Sequence, residues 1–128
     1  MPRIIDQLKQ GRRLLSDGAW GTFLYHKGLK PGECPELWCV THRAAVLDIA
    51  RSYVAAGADM IKTNSFGSSR LKLNAYGLGG RVAELNRAAA AISREAAGAE
   101  RSVIASMGPT GKLLLMGDTT KQELYAAF

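Results

Sequence analysis

Three short runs of β-type residues alternate with helical patterns along this chain of 128 residues. Strand–helix–strand repeats favour parallel strands that are joined by right-handed crossovers. We therefore predict an α/β fold in which all the strands point in the same direction. The β-type runs and the helical patterns that follow them cover, in order, residues 14–17, 44–56, 58–64, 82–96, 102–106 and 120–128.

The helical patterns carry end signals. Over 44–56, apolar residues fall three and four apart, which is typical of an amphipathic helix. Thr41 is the predicted N-cap of this helix, and Gly57 is the predicted left-handed residue after it. Thr120 and Glu123 have the spacing of a capping box, so we predict that the last helix begins there.

The composition predicts one globular domain, with 47% hydrophobic and 22% charged residues. We assign residues 1–13 to a lead-in helix and 14–128 to three βα units, with the third helix incomplete. No apolar run reaches the ~18 residues of a membrane span, and the N-terminus lacks the pattern of a secretory signal. We predict a cytoplasmic protein without a membrane partner.

The net charge of +6 is compatible with nucleic acid or another anionic partner. The basic residues are scattered, however, and no basic run has interleaved aromatic residues. This distribution is typical of a solvated positive surface, so we predict no nucleic-acid partner.

Polar residues follow each predicted strand. The carboxyl ends of parallel strands meet at one edge of a sheet, which is where α/β proteins bind ligands. We therefore expect Asp17, the pair Thr63–Asn64 and the segment 106–108 to converge. A carboxylate beside a glycine turn can hold an ammonium while main-chain N–H groups hold a carboxylate, as an amino-acid ligand requires. The alternative is that Asp17 only caps its turn.

Two other patterns suggest ligands. The segment 108–112 resembles a phosphate loop, but a Walker motif would require Gly at Ser106 and Ser or Thr at Leu113. A turn at the end of a strand is therefore the favoured role of this segment. Four side chains could supply zinc ligands, but half-buried thiols and a histidine near a helix start are the favoured explanation. These four are Cys34, Cys39, His26 and His42.

Five strings, in order and in register from about residue 14 to 111, resemble the N-terminal part of the homocysteine S-methyltransferase family. This family includes the homocysteine-binding domain of cobalamin-dependent methionine synthase. The strings are Asp17-Gly18-Ala19-Trp20-Gly21-Thr22, Gly57-Ala58-Asp59, Thr63-Asn64-Ser65-Phe66-Gly67, Arg70-Leu71-Lys72-Leu73 and Ser106-Met107-Gly108-Pro109-Thr110-Gly111.

The resemblance implies a (β/α)₈ TIM barrel in which a zinc-bound homocysteine thiolate takes a methyl group and becomes methionine. The donors that the resemblance implies are methylcobalamin, methylfolate, betaine and S-methylmethionine, and the sequence does not select one of them. By position, Asp17 would contact the ammonium of the substrate. The N–H groups of Gly18 and Ala19 would face the carboxylate of the substrate. Thr63, Asn64 and Ser65 would shape the pocket.

The sequence departs from the family pattern at three positions. Trp20 stands where methionine is common, Cys39 where asparagine is usual, and Lys62 where an apolar or acidic residue is usual. We expect Trp20 to reshape the mouth of the pocket and Lys62 to alter the donor or aim a charge into the barrel.

The length of the chain limits what it can do alone. A barrel of this kind needs roughly 200 residues or more, and the family's zinc cysteines lie on later strands. We therefore expect no metal ligand and no catalytic residue in this chain, and no methyl transfer by the chain alone. The alternatives are self-association of a half-barrel, and a small open-sheet module that binds an amino acid or an anion.

Overall fold

A computed structural model describes residues 3–128 of the chain. Helices pack against a short parallel sheet. The helices are α1 (Ile4–Lys9), α2 (Gly21–His26), α3 (Trp38–Thr41), α4 (Arg43–Ala55), α5 (Arg70–Asn74), α6 (Val82–Ala97) and α7 (Lys121–Ala127), and the strands are β1 (Met60–Lys62) and β2 (Ser102–Ile104). Single 3₁₀ turns cover Pro35–Leu37, Gly79–Arg81 and Leu114–Met116.

The sheet confirms the predicted parallel pairing. Strand β1 pairs with β2 so that Ile61 lies opposite Val103. On the other edge of β1, Ser16 forms a parallel bridge with Met60. Both strands are shorter than predicted, since the runs 58–64 and 102–106 each give three residues of ladder. The count of three βα units stays a prediction.

The prediction of a strand over 14–17 is wrong, because only Ser16 pairs with the sheet. Aspartate side chains replace the main-chain acceptors on both sides of this bridge. The N–H of Leu15 donates to Asp59 Oδ2 at 2.9 Å, and the N–H of Lys62 donates to Asp17 Oδ2 at 2.8 Å. These bonds end the ladder after one residue and bring the Asp17 carboxylate to the end of β1.

Helices α4 and α6 cover one face of the sheet. Ile61 has no exposed surface and packs with Ala50 of α4 and Ala97 of α6. Successive side chains of a strand point to opposite faces. Met60 and Lys62 are accordingly half-buried, on the face that these helices do not cover.

The segment 19–42 contributes to a second apolar cluster although it is rich in glycine and proline. This cluster joins the segment to α4 and α6. Its buried members are Leu24, Leu29, Trp38, Cys39, Val46, Leu47, Ile49, Ala89 and Ile92. No helix within residues 3–128 is long and apolar enough to cross a membrane.

The predicted helix ends have mixed outcomes. The residue before α4 is His42, not Thr41, because Thr41 ends α3 and its hydroxyl donates to the Leu37 carbonyl. Gly57 follows α4 with a φ of +93°, and the capping box of Thr120 and Glu123 opens α7, as predicted.

Two further boundaries differ from the prediction. The lead-in helix predicted over 1–13 covers Ile4–Lys9, and its first two predicted residues lie outside the described part of the chain. A helix that was not predicted, α5, begins after Ser69, whose side chain accepts the N–H of Lys72.

Candidate functional site

A cleft of about 370 Å³ lies at the carboxyl ends of the strands. Of the residues expected to converge there, Thr63, Asn64 and Ser106 line the cleft, whereas Asp17, Met107 and Gly108 do not. Its lining consists of Gly18, Ala19, Trp20, Gly21, Leu24, Pro35, Glu36, Lys62, Thr63, Asn64, Ser65, Phe66 and Ser106. Gly18, Ala19, Thr63, Asn64 and Ser65 are thus brought together, whereas the side chain of Asp17 lies behind the lining.

The carboxylate of Asp17 is completely enclosed, with none of its side chain exposed. Oδ2 accepts hydrogen bonds from the indole N–H of Trp20 and the N–H of Lys62, both at 2.8 Å. Oδ1 accepts the Ser16 hydroxyl at 3.1 Å, and Lys62 Nζ lies 3.7 Å from it. The ammonium near this carboxylate is therefore that of Lys62, and direct contact of Asp17 with a substrate stays a prediction.

The turn after Asp17 lines the cleft and carries two unpaired donors. Within residues 3–128, the N–H groups of Gly18 and Ala19 have no hydrogen-bond partner. The carbonyls of these residues are occupied, since Lys62 Nζ donates to Gly18 O at 3.1 Å and the Tyr53 hydroxyl donates to Ala19 O at 2.6 Å. These bonds hold the turn with its N–H groups free to receive an anion.

Hydroxyl groups join the ends of β1 and β2. Thr63 Oγ1 lies 2.5 Å from Ser65 Oγ and accepts the N–H of Ser106 at 3.0 Å. Ser65 Oγ donates to the carbonyl of Ser106 at 2.8 Å. Because their hydroxyls are used in this way, Thr63 and Ser65 form part of the wall of the cleft. Their role towards a substrate stays a prediction.

Asn64 connects the strand end to the segment before α3. Its Nδ2 donates to the carbonyl of Pro35 at 2.8 Å, and its own carbonyl accepts the Cys39 thiol at 3.6 Å. These contacts place the 3₁₀ turn, and with it Glu36, beside the cleft.

Sequence reasoning missed Glu36, a lining residue that is 5% exposed. Its Oε1 accepts the N–H of Gly67 at 2.7 Å, and its Oε2 accepts the Cys34 thiol at 3.3 Å. No cationic side chain of residues 3–128 forms an ion pair with it. One feature of the sequence could have pointed to Glu36. It is the single acidic residue among apolar ones in the string Pro35-Glu36-Leu37-Trp38.

The four candidate zinc ligands do not form a site. Burial raises the pKa of Cys34 to about 11 and that of Cys39 to about 12, so both thiols keep their protons. His42 stacks on Trp38 with ring centroids 4.1 Å apart. In the described part of the chain, no group of three or more His, Cys, Asp or Glu side chains could hold a metal ion.

The glycine segment 108–112 is a close-packed turn. The N–H of Gly108 donates to the carbonyl oxygen of Phe66 at 2.9 Å. A Cβ added to Gly108 would lie only 2.5 Å from this oxygen. The segment leads into the 3₁₀ turn Leu114–Met116 and not into an α-helix. It therefore lacks the helix start that a phosphate loop uses.

Comparison with known families decides the relationship. The model of the homocysteine S-methyltransferase family matches residues 14–128. The chain belongs to this family. The match covers all five strings that carry the resemblance and extends beyond them to Phe128, so the resemblance noted in the sequence is confirmed.

Curated relatives include two mycobacterial methionine synthases. The chain is 34% identical over 128 residues to that of Mycobacterium tuberculosis, with 91% of the chain covered. It is 31% identical over 137 residues to that of Mycobacterium leprae, with 98% covered. In both cases the chain spans only 11% of the relative's length.

Solved structures show a similar fold. The metallated form of the homocysteine methyltransferase MmuM from Escherichia coli matches with a TM-score of 0.69 and 24% identity, covering 89% of this chain and 43% of that one. The oxidized form also gives 0.69, at 23% identity. This family member accordingly has the α/β fold of a homocysteine methyltransferase over a part of that protein's length.

Proposed function

We propose that this chain carries the amino-acid half of a homocysteine site in a methyltransferase that converts homocysteine to methionine. The observation that carries the proposal is the cleft at the strand ends, where the N–H groups of Gly18 and Ala19 are unpaired. Family membership supplies the substrate class. The fold of its relatives supports the proposal that the chain forms the first part of a TIM barrel.

The residues of this chain bind and orient the substrate. The N–H groups of Gly18 and Ala19 receive the substrate carboxylate, because main-chain donors in a turn form an anion-binding concavity. Asp17 holds this turn through Trp20 and the N–H of Lys62. A direct contact of Asp17 with the substrate ammonium requires Lys62 to move away from it.

The ammonium of an amino acid would meet Glu36, whose carboxylate lines the cleft without a cationic partner among residues 3–128. Each carboxylate oxygen can accept more than one hydrogen bond, so the contacts to Gly67 and Cys34 leave capacity for a ligand. Thr63, Asn64 and Ser65 keep the wall of the cleft rigid through their bonds to Ser106, Pro35 and Cys39.

The zinc that the family resemblance implies does not fit the side chains described here, as their thiols and imidazoles do not converge. We derive no chemical step through a metal in this chain. Our proposal is that methyl transfer needs further strands of the barrel, which would supply the thiol-activating group and contact the methyl donor. A cytoplasmic location stays a prediction.

Isothermal titration tests the binding half of this proposal. We expect the chain to bind L-homocysteine and L-methionine, which share the amino-acid group, and to give no response with ATP or inorganic phosphate. Tight binding of ATP without a response to either amino acid would favour the open-sheet anion module and contradict the proposal. If this chain by itself bound one stoichiometric zinc ion and methylated homocysteine, that result would contradict the proposed need for further strands.

A further inference from the structure

Within residues 3–128, Lys62 is the one lysine or arginine that lines the cleft. It follows the buried Ile61 on β1 and therefore points to the face that α4 and α6 leave uncovered. Its side chain is 35% exposed, whereas that of Asp17 is fully enclosed. The ammonium is thus accessible to a ligand in the cleft.

The contacts of Lys62 leave donors for a ligand. An ammonium group has three N–H donors, and Lys62 Nζ uses one of them for Gly18 O at 3.1 Å. Lys62 Nζ also forms an ion pair with Asp17 Oδ1, but their separation of 3.7 Å is too long for a good hydrogen bond. Asp17 already accepts three bonds from Ser16, Trp20 and the main chain of Lys62, so it does not depend on this ammonium.

The bond from Lys62 to Gly18 O places this cation at the turn that presents two unpaired N–H groups. A carboxylate bound by those N–H groups would lie beside a cation with free donors, and charge-assisted bonds are about twice as strong as neutral ones. We propose that Lys62 is a specificity-determining residue, whose ammonium binds the carboxylate of the amino-acid substrate beside the N–H groups of Gly18 and Ala19.

This inference rests on the proposed function and extends it. Glu36 supplies a negative group to the same cleft, so the lining carries one charge of each sign. Such a site favours a zwitterionic amino acid over an amine or an acid alone. The selectivity would be particular to chains that carry a lysine at this position.

The test compares L-methionine with 3-(methylsulfanyl)propylamine, which is methionine without its carboxylate, by isothermal titration. We expect wild type to bind methionine more tightly than the amine. Lys62→Met should weaken methionine binding about tenfold, since a hydrogen bond to a charged group is removed, and should not weaken amine binding, since no cationic group repels the amine any longer. Lys62→Arg should keep the preference for methionine.

Two controls keep the test decisive. Lys30→Met removes an exposed charge outside the cleft and should leave both affinities at wild-type values. Lys62→Gln is a second uncharged variant, which keeps a polar side chain at this position. It decides the result if Lys62→Met does not fold. Circular dichroism reports the fold of each variant.

The outcomes separate the inference from the proposed function. If wild type binds neither methionine nor the amine, the proposed amino-acid site is wrong and the inference falls with it. If wild type prefers methionine and folded Lys62→Gln or Lys62→Met prefers it equally, the inference alone is wrong. Equal loss of methionine binding in Lys30→Met would also overturn it, because the effect would then arise from net charge.

Discussion

Two buried carboxylates at the cleft have opposite surroundings. Asp17 accepts bonds from a hydroxyl, an indole and a main-chain N–H, and the ammonium of Lys62 lies beside it. Glu36 accepts one main-chain N–H and one thiol, with no cationic side chain of residues 3–128 in ion-pair contact. The difference teaches that Asp17 organises the turn, whereas Glu36 keeps acceptor capacity for a ligand.

The largest expected effect is on stability, from Asp17→Asn. Both carboxylate oxygens of Asp17 now accept hydrogen bonds, and in the variant an amide nitrogen, itself a donor, would replace one of these oxygens. Lys62 would also lose its counter-charge. We expect the free energy of unfolding to fall by about 2–3 kcal/mol, because a buried donor is left unsatisfied. Urea unfolding measures this change.

The matched control is Asp48→Asn, which removes an exposed aspartate paired with Lys27 on the surface. Exposed pairs contribute little, so the urea midpoint should barely move. Equal shifts in the two variants would show that Asp17 does not organise the turn, and the contrast between the two carboxylates would disappear.

Glu36→Gln should change binding more than stability. The amide oxygen can still accept the N–H of Gly67, so the turn keeps its shape while the negative charge is lost. We expect roughly tenfold weaker binding of L-methionine by titration, since a charge-assisted bond to the ammonium is removed. Glu33→Gln, an exposed neighbour, is the control and should bind as wild type does. Unchanged affinity in Glu36→Gln would make this carboxylate purely structural.

The expected effect that is smallest at neutral pH, and that grows only above pH 9, concerns the thiols beside Glu36. Burial raises the pKa of Cys34 to about 11 and of Cys39 to about 12 from an ordinary value of 9.0, and Glu36 adds to both shifts. The unfolded chain loses these protons from about pH 9, whereas the folded chain keeps them. Stability should therefore fall as the pH rises from 9 towards 11 and 12.

Urea unfolding at several pH values measures this fall. The double variant Cys34→Ala with Cys39→Ala should show a shallower decline, and its remaining slope reports the other titrating groups. If the native thiols reacted with iodoacetamide at pH 8 as rapidly as free cysteine does, the raised pKa values would be wrong. The thiol of Cys34 would then not be a neutral donor to Glu36.

Local patterns predicted several elements because their causes are local. The period over 44–56 and the left-handed Gly57 predicted α4 to within one residue at each end. The capping box of Thr120 and Glu123 predicted the start of α7, since both partners lie within one turn. Thr41 was wrong as an N-cap because α3 ends there, and a helix of four residues has no clear periodic signal.

The strand over 14–17 failed for a reason that no local pattern contains. Its ladder stops because Asp59, 44 residues away from Leu15, accepts the N–H that a strand would pair. In the same way, the site was predicted where strand ends converge, but Glu36 was missed. Its place at the cleft depends on Asn64 and Gly67, which lie about 30 residues further along the chain.

The sequence by itself determined the family and the strand-end turns, because the five strings and the 3.6-residue periods are short-range features that can be read in order. Only the tertiary structure decided which charges face the cleft. Asp17 is enclosed and Lys62 is accessible because the pleat of β1 and the turn at Gly18 set the direction of each side chain. Burial and orientation of charge arise from contacts between distant residues, and these exist only in the folded chain.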